Sequence, residues 1–112
     1  MKVQLREVTD VVIVDLEGKL VRGVGDELLR DTLDGLLAEG RGKILLNLSQ
    51  VSFIDSSGIG ELVAGKKVAE QLGAQLKLMR LGNRVRQTLK LSLILPLFDS
   101  YEDEQTALAS FG

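Results

Sequence analysis

Two adjacent serines hold most of the chemistry available to this chain. They stand in Asp55-Ser56-Ser57-Gly58-Ile59-Gly60, after the apolar run Ile44-Leu45-Leu46-Asn47-Leu48 and at the opening of a helical pattern. Where a strand hands over to a helix, the first backbone N–H groups point outward at the positive end of the macrodipole. Gly58 and Gly60 have no Cβ, so little bulk screens the hydroxyls. Such a site suits a bound anion or a covalently added phosphate. The plainer alternative is an ordinary helix start, with Ser57 as N-cap and the glycines easing the turn. In either case Ser57 is the expected cap, which leaves Ser56, one residue further out, freer to react.

Composition narrows the chemistry further. The 112 residues include no cysteine and no histidine. Disulfides, thiolate nucleophiles, Cys/His zinc sites and a Ser-His-Asp triad are therefore excluded. Ile54 occupies the first glycine position of a Gly-x-Ser-x-Gly elbow. Lys66 and Lys67 lie about two helical turns beyond the serines, too far to serve as the base. A non-enzymatic role is expected. The net charge of −2 gives no electrostatic case for direct nucleic-acid binding. Arg80, Arg84, Arg86 and Lys90 form a local cluster that reads as a solvated face. Neither a signal peptide nor an apolar run of transmembrane length is visible, so a cytoplasmic protein without membrane insertion is expected. With 45% apolar residues and one proline, residues 1–112 read as one globular domain.

The elements that must position the serines follow from periodicity. Val3, Leu5 and Val8 alternate with polar neighbours, and Thr9-Asp10 turns the chain into a second strand, Val11 to Leu16. Gly18 to Gly25 reads as a loop. Asp26 to Glu39 is an amphipathic helix carrying Leu28, Leu29, Leu33, Leu36 and Leu37, with Asp26 and Arg30 spaced as an i, i+4 pair. Ile44 to Leu48 is apolar enough for a central strand covered on both faces. A second helix runs from about Gly58 to Leu72. Its stripe of Leu62, Gly65, Ala69 and Leu72 is expected to face the sheet, and Gly65 to permit close approach. Ile59 and Val63 lie off that stripe, flanked by Lys66 and Lys67. Gln75 to Leu81 is a strand, Asn83 caps a third helix, Leu97-Phe98 is a short strand, and Ser100-x-x-Asp103 is a capping box for a last helix ending near Phe111. The order β-β-α-β-α-β-α-β-α predicts an α/β domain. Its sheet is mixed but mostly parallel, opened by an antiparallel hairpin, with about four helices mainly on one face. Ser56 then lies beyond the carboxyl end of the central strand, where such sheets place their sites.

That order, together with Leu46-Asn47-Leu48-Ser49-Gln50-Val51-Ser52-Phe53-Ile54-Asp55-Ser56-Ser57-Gly58-Ile59-Gly60, resembles the STAS domain, in particular the stand-alone anti-sigma-factor antagonists of bacteria. Gly73-Ala74-Gln75-Leu76-Lys77-Leu78 and the closing Val85, Leu89 and Leu97-Phe98 fit as well, so the likeness spans nearly the whole chain. It departs from the common pattern at two places. Val21 follows Gly18-Lys19-Leu20 where many members have an acid, and Asn47 stands where many have Asp.

The resemblance implies a phospho-switched binding module. The serine directly after the aspartate, here Ser56, is the phosphoacceptor, with Ser57 the alternative. The unmodified protein captures an anti-sigma-factor serine kinase and frees a sigma factor. A PPM-type serine phosphatase resets it. Asp55 either orders the turn or contacts a kinase-bound metal. Asp55, Ser57, Gly58, Ile59, Gly60, Val63, Lys66 and Lys67 form the expected partner-binding set, on a monomer or weak dimer with no cofactor of its own. Two other roles compete: a STAS scaffold or accessory subunit of a stress-signalling or transporter complex, and a nucleotide sensor. No Gly-x-Gly-x-x-Gly or Walker sequence supports the sensor.

Overall fold

The computed structural model describes residues 1–112. Strand β1 (Lys2–Val8) pairs antiparallel with β2 (Val11–Leu20) through the two-residue turn Thr9-Asp10. Helix α1 (Gly25–Ala38) then crosses to β3 (Lys43–Ile54), α2 (Ser56–Gln71) to β4 (Gln75–Met79), and α3 (Asn83–Leu91) to β5 (Ser100–Tyr101). Helix α4 (Glu104–Ala109) ends the fold. The sheet order is β1-β2-β3-β4-β5, parallel except for the hairpin.

Alternation along the strands builds two cores. Val12 and Val14 of β2, Ile44, Leu46 and Leu48 of β3, and Leu76 and Leu78 of β4 face α1, α2 and α3. Val11, Ile13, Leu45 and Met79 point the other way, under Ala107 and Phe111 at the C-terminal end. Three helices thus cover one face and the short α4 covers part of the other. Ile44 to Leu48 is buried throughout, as a strand packed on both sides must be.

The α4 face holds a polar network as well as the smaller core. Arg6 donates to both oxygens of Asp15, at 2.6 and 3.0 Å, and to Glu104 of α4 at 2.9 Å. Asn47 donates to Asp15 at 2.8 Å and accepts from the Ser49 N–H. Asn47, one of the two departures from the common pattern, is therefore a buried partner of Asp15. It lies seven residues up β3 from Ile54, about 23 Å of strand from the serine end.

Several element boundaries move. β2 continues to Leu20 because a bulge and Gly18, at φ +116, carry it into pairing with Phe53 and Ile54. The expected loop shrinks to Val21–Val24. β3 extends to Ile54 on the same account. Asp26 does not pair with Arg30: it turns inward to accept the Gly23 N–H at 2.9 Å, and Arg30 reaches Glu61 of α2 at 3.1 Å. Leu5 is 53% exposed, and so is Leu72 at 63%, because α2 ends at Gln71 and Leu72 is its C-cap. β4 stops at Met79. Gly82, extended at φ −65 and ψ 159, precedes α3, so Asn83 is the first helical residue rather than the cap. Pro96 sits in a 3₁₀ turn, Leu95–Leu97, and the pairing expected at Leu97-Phe98 begins three residues later, at Ser100. Asp103 caps α4 by accepting from the Thr106 N–H at 2.8 Å, while Ser100 belongs to β5. The helix ends at Ala109.

Candidate functional site

The carboxyl ends of β2 and β3 converge, and the serines stand where they do. Helix α2 begins at Ser56 because Asp55, extended at φ −103 and ψ −176, takes the cap position. Its Oδ1 accepts the Gly58 N–H at 2.9 Å. Its Oδ2 accepts the Arg22 N–H at 3.0 Å, from the loop between β2 and α1. The Asp55 N–H donates to the Leu20 carbonyl at 3.2 Å. These bonds hold the Asp55 carboxyl below the usual carboxylate range, the Arg22 N–H first and the Gly58 N–H second.

The expected cap, Ser57, is displaced by this carboxylate, which is the stronger acceptor for a helix N-terminus. Neither seryl hydroxyl bonds to another side chain, so the two serines differ in exposure instead. Ser56 is exposed and Ser57 half-buried. Of the remaining expected residues, Gly58 is buried: a Cβ there would lie 2.2 Å from the Leu20 carbonyl oxygen. Gly60 is exposed with open space around it. Ile59 and Val63 pack one side against the main core and are half-buried. Lys66 pairs with Glu70 at 3.0 Å and lies 5.7 Å from the centre of the Phe98 ring, while Lys67 is exposed. Gly65, expected to allow close approach to the sheet, has its tight neighbour instead in Leu33 of α1, which a Cβ would meet at 2.6 Å, while Leu76 of β4 would lie at an ordinary 3.6 Å.

Two participants escaped the reading of the sequence. The Leu20 carbonyl and the Arg22 N–H are backbone groups, for which residue type carries no signal. Val21, the second departure from the common pattern, lies between them and accepts the Asp26 N–H through its carbonyl at 3.1 Å. It is therefore at the site, whereas Asn47 is not. Arg84, in the cluster expected to be a solvated face, is exposed, with its guanidinium 5.1 Å from the centre of the Phe53 ring at the end of β3. No basic side chain is hydrogen-bonded to either serine. The arrangement offers an exposed hydroxyl on a rigid capped turn, a target for modification and a surface for contact.

Comparison with known proteins shows that the fold is shared. The chain is 24% identical over 108 residues to the anti-sigma F factor antagonist of Paenibacillus polymyxa, across 96% of this chain and 92% of that protein. The fold matches a Thermotoga maritima crystal structure, provisionally named an anti-sigma factor antagonist, with a TM-score of 0.89 and 27% identity over 96% of this chain and 92% of that one. It matches the Bacillus cell fate determinant SpoIIAA in its phosphorylated form with a TM-score of 0.75 and 24% identity, over 99% and 100% of the two chains. The STAS domain profile matches residues 2–107, and this protein belongs to the STAS domain family.

Proposed function

We propose that this protein is an anti-sigma-factor antagonist whose capture of an anti-sigma-factor serine kinase is switched by phosphorylation of Ser56. One observation carries the reading. Ser56 stands exposed, with no side-chain partner, at the first position of a 16-residue helix capped by Asp55, while Ser57 beside it is half-buried. Added phosphate is favoured at a helix N-terminus, and the turn that holds it is fixed by Arg22, Gly58 and Leu20. The antagonist names carried by relatives of nearly equal length support the same reading. Ile59, Val63 and Lys67 then form the adjoining contact surface. A PPM-type phosphatase resets the switch.

The test is incubation of the purified chain with its cognate kinase and ATP, followed by intact mass and complex isolation. One phosphate is expected on the parent chain. The Ser56→Ala variant should gain none and remain in a stable complex with the kinase. Phosphorylation of Ser56→Ala at the parent rate would move the acceptor to Ser57 or elsewhere.

A further inference from the structure

Residues 71–98 contain no aspartate or glutamate, in a chain with 16 acidic residues. Among them Arg80, Arg84, Arg86 and Lys90 stand on or just before α3. The helix runs directly into Leu91-Ser92-Leu93-Ile94-Leu95-Pro96-Leu97. Leu91 is 80% exposed, Leu93 82% and Leu97 52%. Leu93 also has φ +61, the left-handed backbone that a helix C-terminus ordinarily gives to glycine. Its side chain is neither buried nor relaxed, so the fold would lose little if glycine replaced it. Single exposed leucines are unremarkable on protein surfaces. Three within seven residues, from the end of α3 to the 3₁₀ turn and one of them in strained geometry, make an exposed apolar patch of the kind that contacts use.

The loop separates two shallow hollows. One, of about 510 Å³, is lined by Leu93, Leu95 and Pro96 together with Arg86 and Lys90. The other, of about 200 Å³, is lined by Val63, Leu97 and Phe98 together with Lys66 and Lys67. The one acid beside the second hollow, Glu70, is already paired with Lys66.

We infer that these hollows are a docking surface for an acidic amphipathic helix of a partner protein. A helix with apolar residues at i, i+3, i+4 and i+7 presents an apolar stripe of the kind such hollows accept. Acidic residues flanking those positions complement the basic side chains that line both hollows, Arg86 and Lys90 in one and Lys66 and Lys67 in the other, and such complementarity steers contacts. A second copy in a two-fold arrangement would set Arg86 and Lys90 against their own equivalents, and like charges repel. A bilayer offers a plane, which leaves two separate hollows unfilled. Val63 and Lys67 also belong to the contact surface proposed above for the kinase, whereas the hollow lined by Arg86, Lys90, Leu93, Leu95 and Pro96 does not, and Ser56 lines neither.

The experiment titrates the ¹⁵N-labelled full chain with a synthetic peptide carrying leucine at i, i+3, i+4 and i+7 and glutamate at the other positions. Amide shifts are expected between Arg86 and Phe98 and between Val63 and Lys67. The same peptide with lysine for glutamate should bind at least ~10-fold more weakly, and Lys90→Glu and Leu93→Glu should each cost a similar factor. Leu93→Gly, which relieves the backbone, should still weaken binding several-fold. Ser56→Ala should leave the affinity unchanged. Absence of peptide binding, equal binding of the lysine peptide, or shifts elsewhere would overturn the inference. So would binding to phosphatidylglycerol vesicles without binding to the peptide, or concentration-dependent shifts of the loop in the free chain, which would name a second copy as the occupant.

Discussion

The Asp55 carboxylate accepts the Arg22 N–H at 3.0 Å across the gap between two loops. With its other oxygen on the Gly58 N–H at 2.9 Å, it fixes the start of α2 to the end of β2. The turn bearing Ser56 is therefore set by a carboxylate 33 residues from one of its partners in sequence.

Removing that carboxylate has a pH signature. Asp55 is held below its ordinary value of 3.8 by the Arg22 and Gly58 N–H groups. A carboxyl whose pKa falls on folding stabilises the native state above its unfolded value, and that contribution is lost as pH falls through the lower folded value. Asp55→Ala should melt several degrees below the parent at neutral pH, and the gap should narrow below about pH 4. Thermal scans from acid to neutral pH measure it; a gap independent of pH would show that the charge plays no part.

Gly58 and Gly60 look alike in sequence and are opposites in space. A Cβ on Gly58 would meet the Leu20 carbonyl oxygen at 2.2 Å and both Ile54 Cγ1 and Leu20 Cγ at 2.9 Å, whereas Gly60 faces open space. Gly58→Ala should destabilise by about 3 kcal/mol, near the upper end of ordinary overpacking. Gly60→Ala should stabilise by up to about 1 kcal/mol, the helix-propensity gain. Denaturant melts of the two variants separate these signs, and equal effects would refute the close contact.

Leu93 gives a stability prediction of its own. Relief of its left-handed backbone by Leu93→Gly should add about 1 kcal/mol. For a domain of this size that raises the Tm by about 4–6 °C. A fall in Tm would mean that the leucine side chain supports the fold.

Arg6 joins β1, β2 and α4 through Asp15 and Glu104. The pairs are part-exposed, so Arg6→Met should cost only about 1 kcal/mol of global stability. Its clearer readout is local. Amides of α4 should lose hydrogen-exchange protection while β3 amides keep theirs, and uniform loss would deny α4 its separate anchor.

The fold was largely legible because long elements carry strong periodicity. Leu29, Leu33, Leu36 and Leu37 named the buried face of α1, and Ile44 to Leu48 named the central strand. Short pieces were less legible. Leu97-Phe98 reads as a strand by residue type, but Pro96 fixes a 3₁₀ turn first and pairing waits for Ser100. At the site, residue type pointed to Ser57 as the cap, but Asp55, two residues earlier, takes it, with its second oxygen on the Arg22 N–H. That contact depends on where β2 ends, and β2 ends late because of a bulge that no local pattern announces. The position of the serines at a strand-to-helix turn was visible in the sequence; the backbone groups that fix that turn were not.

Phosphorylation of Ser56 should leave the fold intact and act on contact alone. The group adds about −1.5 to −2 charges at neutral pH. Ser56 is exposed, so nothing in the domain has to move for it. Beside the N-terminus of α2 the charge gains about 0.3–1 kcal/mol. A partner packed over the turn faces the opposite balance, because it must desolvate the phosphate and accommodate its bulk. One acidic group of that partner at 4 Å repels each charge by about 1 kcal/mol in water and about 4 kcal/mol at an effective dielectric of 20. Several such units remove at least ~100-fold of affinity, since 1.4 kcal/mol is a factor of ten. Modified and unmodified chains should therefore share a Tm within a few degrees while their kinase affinities differ by two decades or more. Calorimetry and a binding titration on the same preparations decide it. Equal affinities would leave Ser56 without a switch, and a collapse in Tm would place the effect in the fold rather than at the contact.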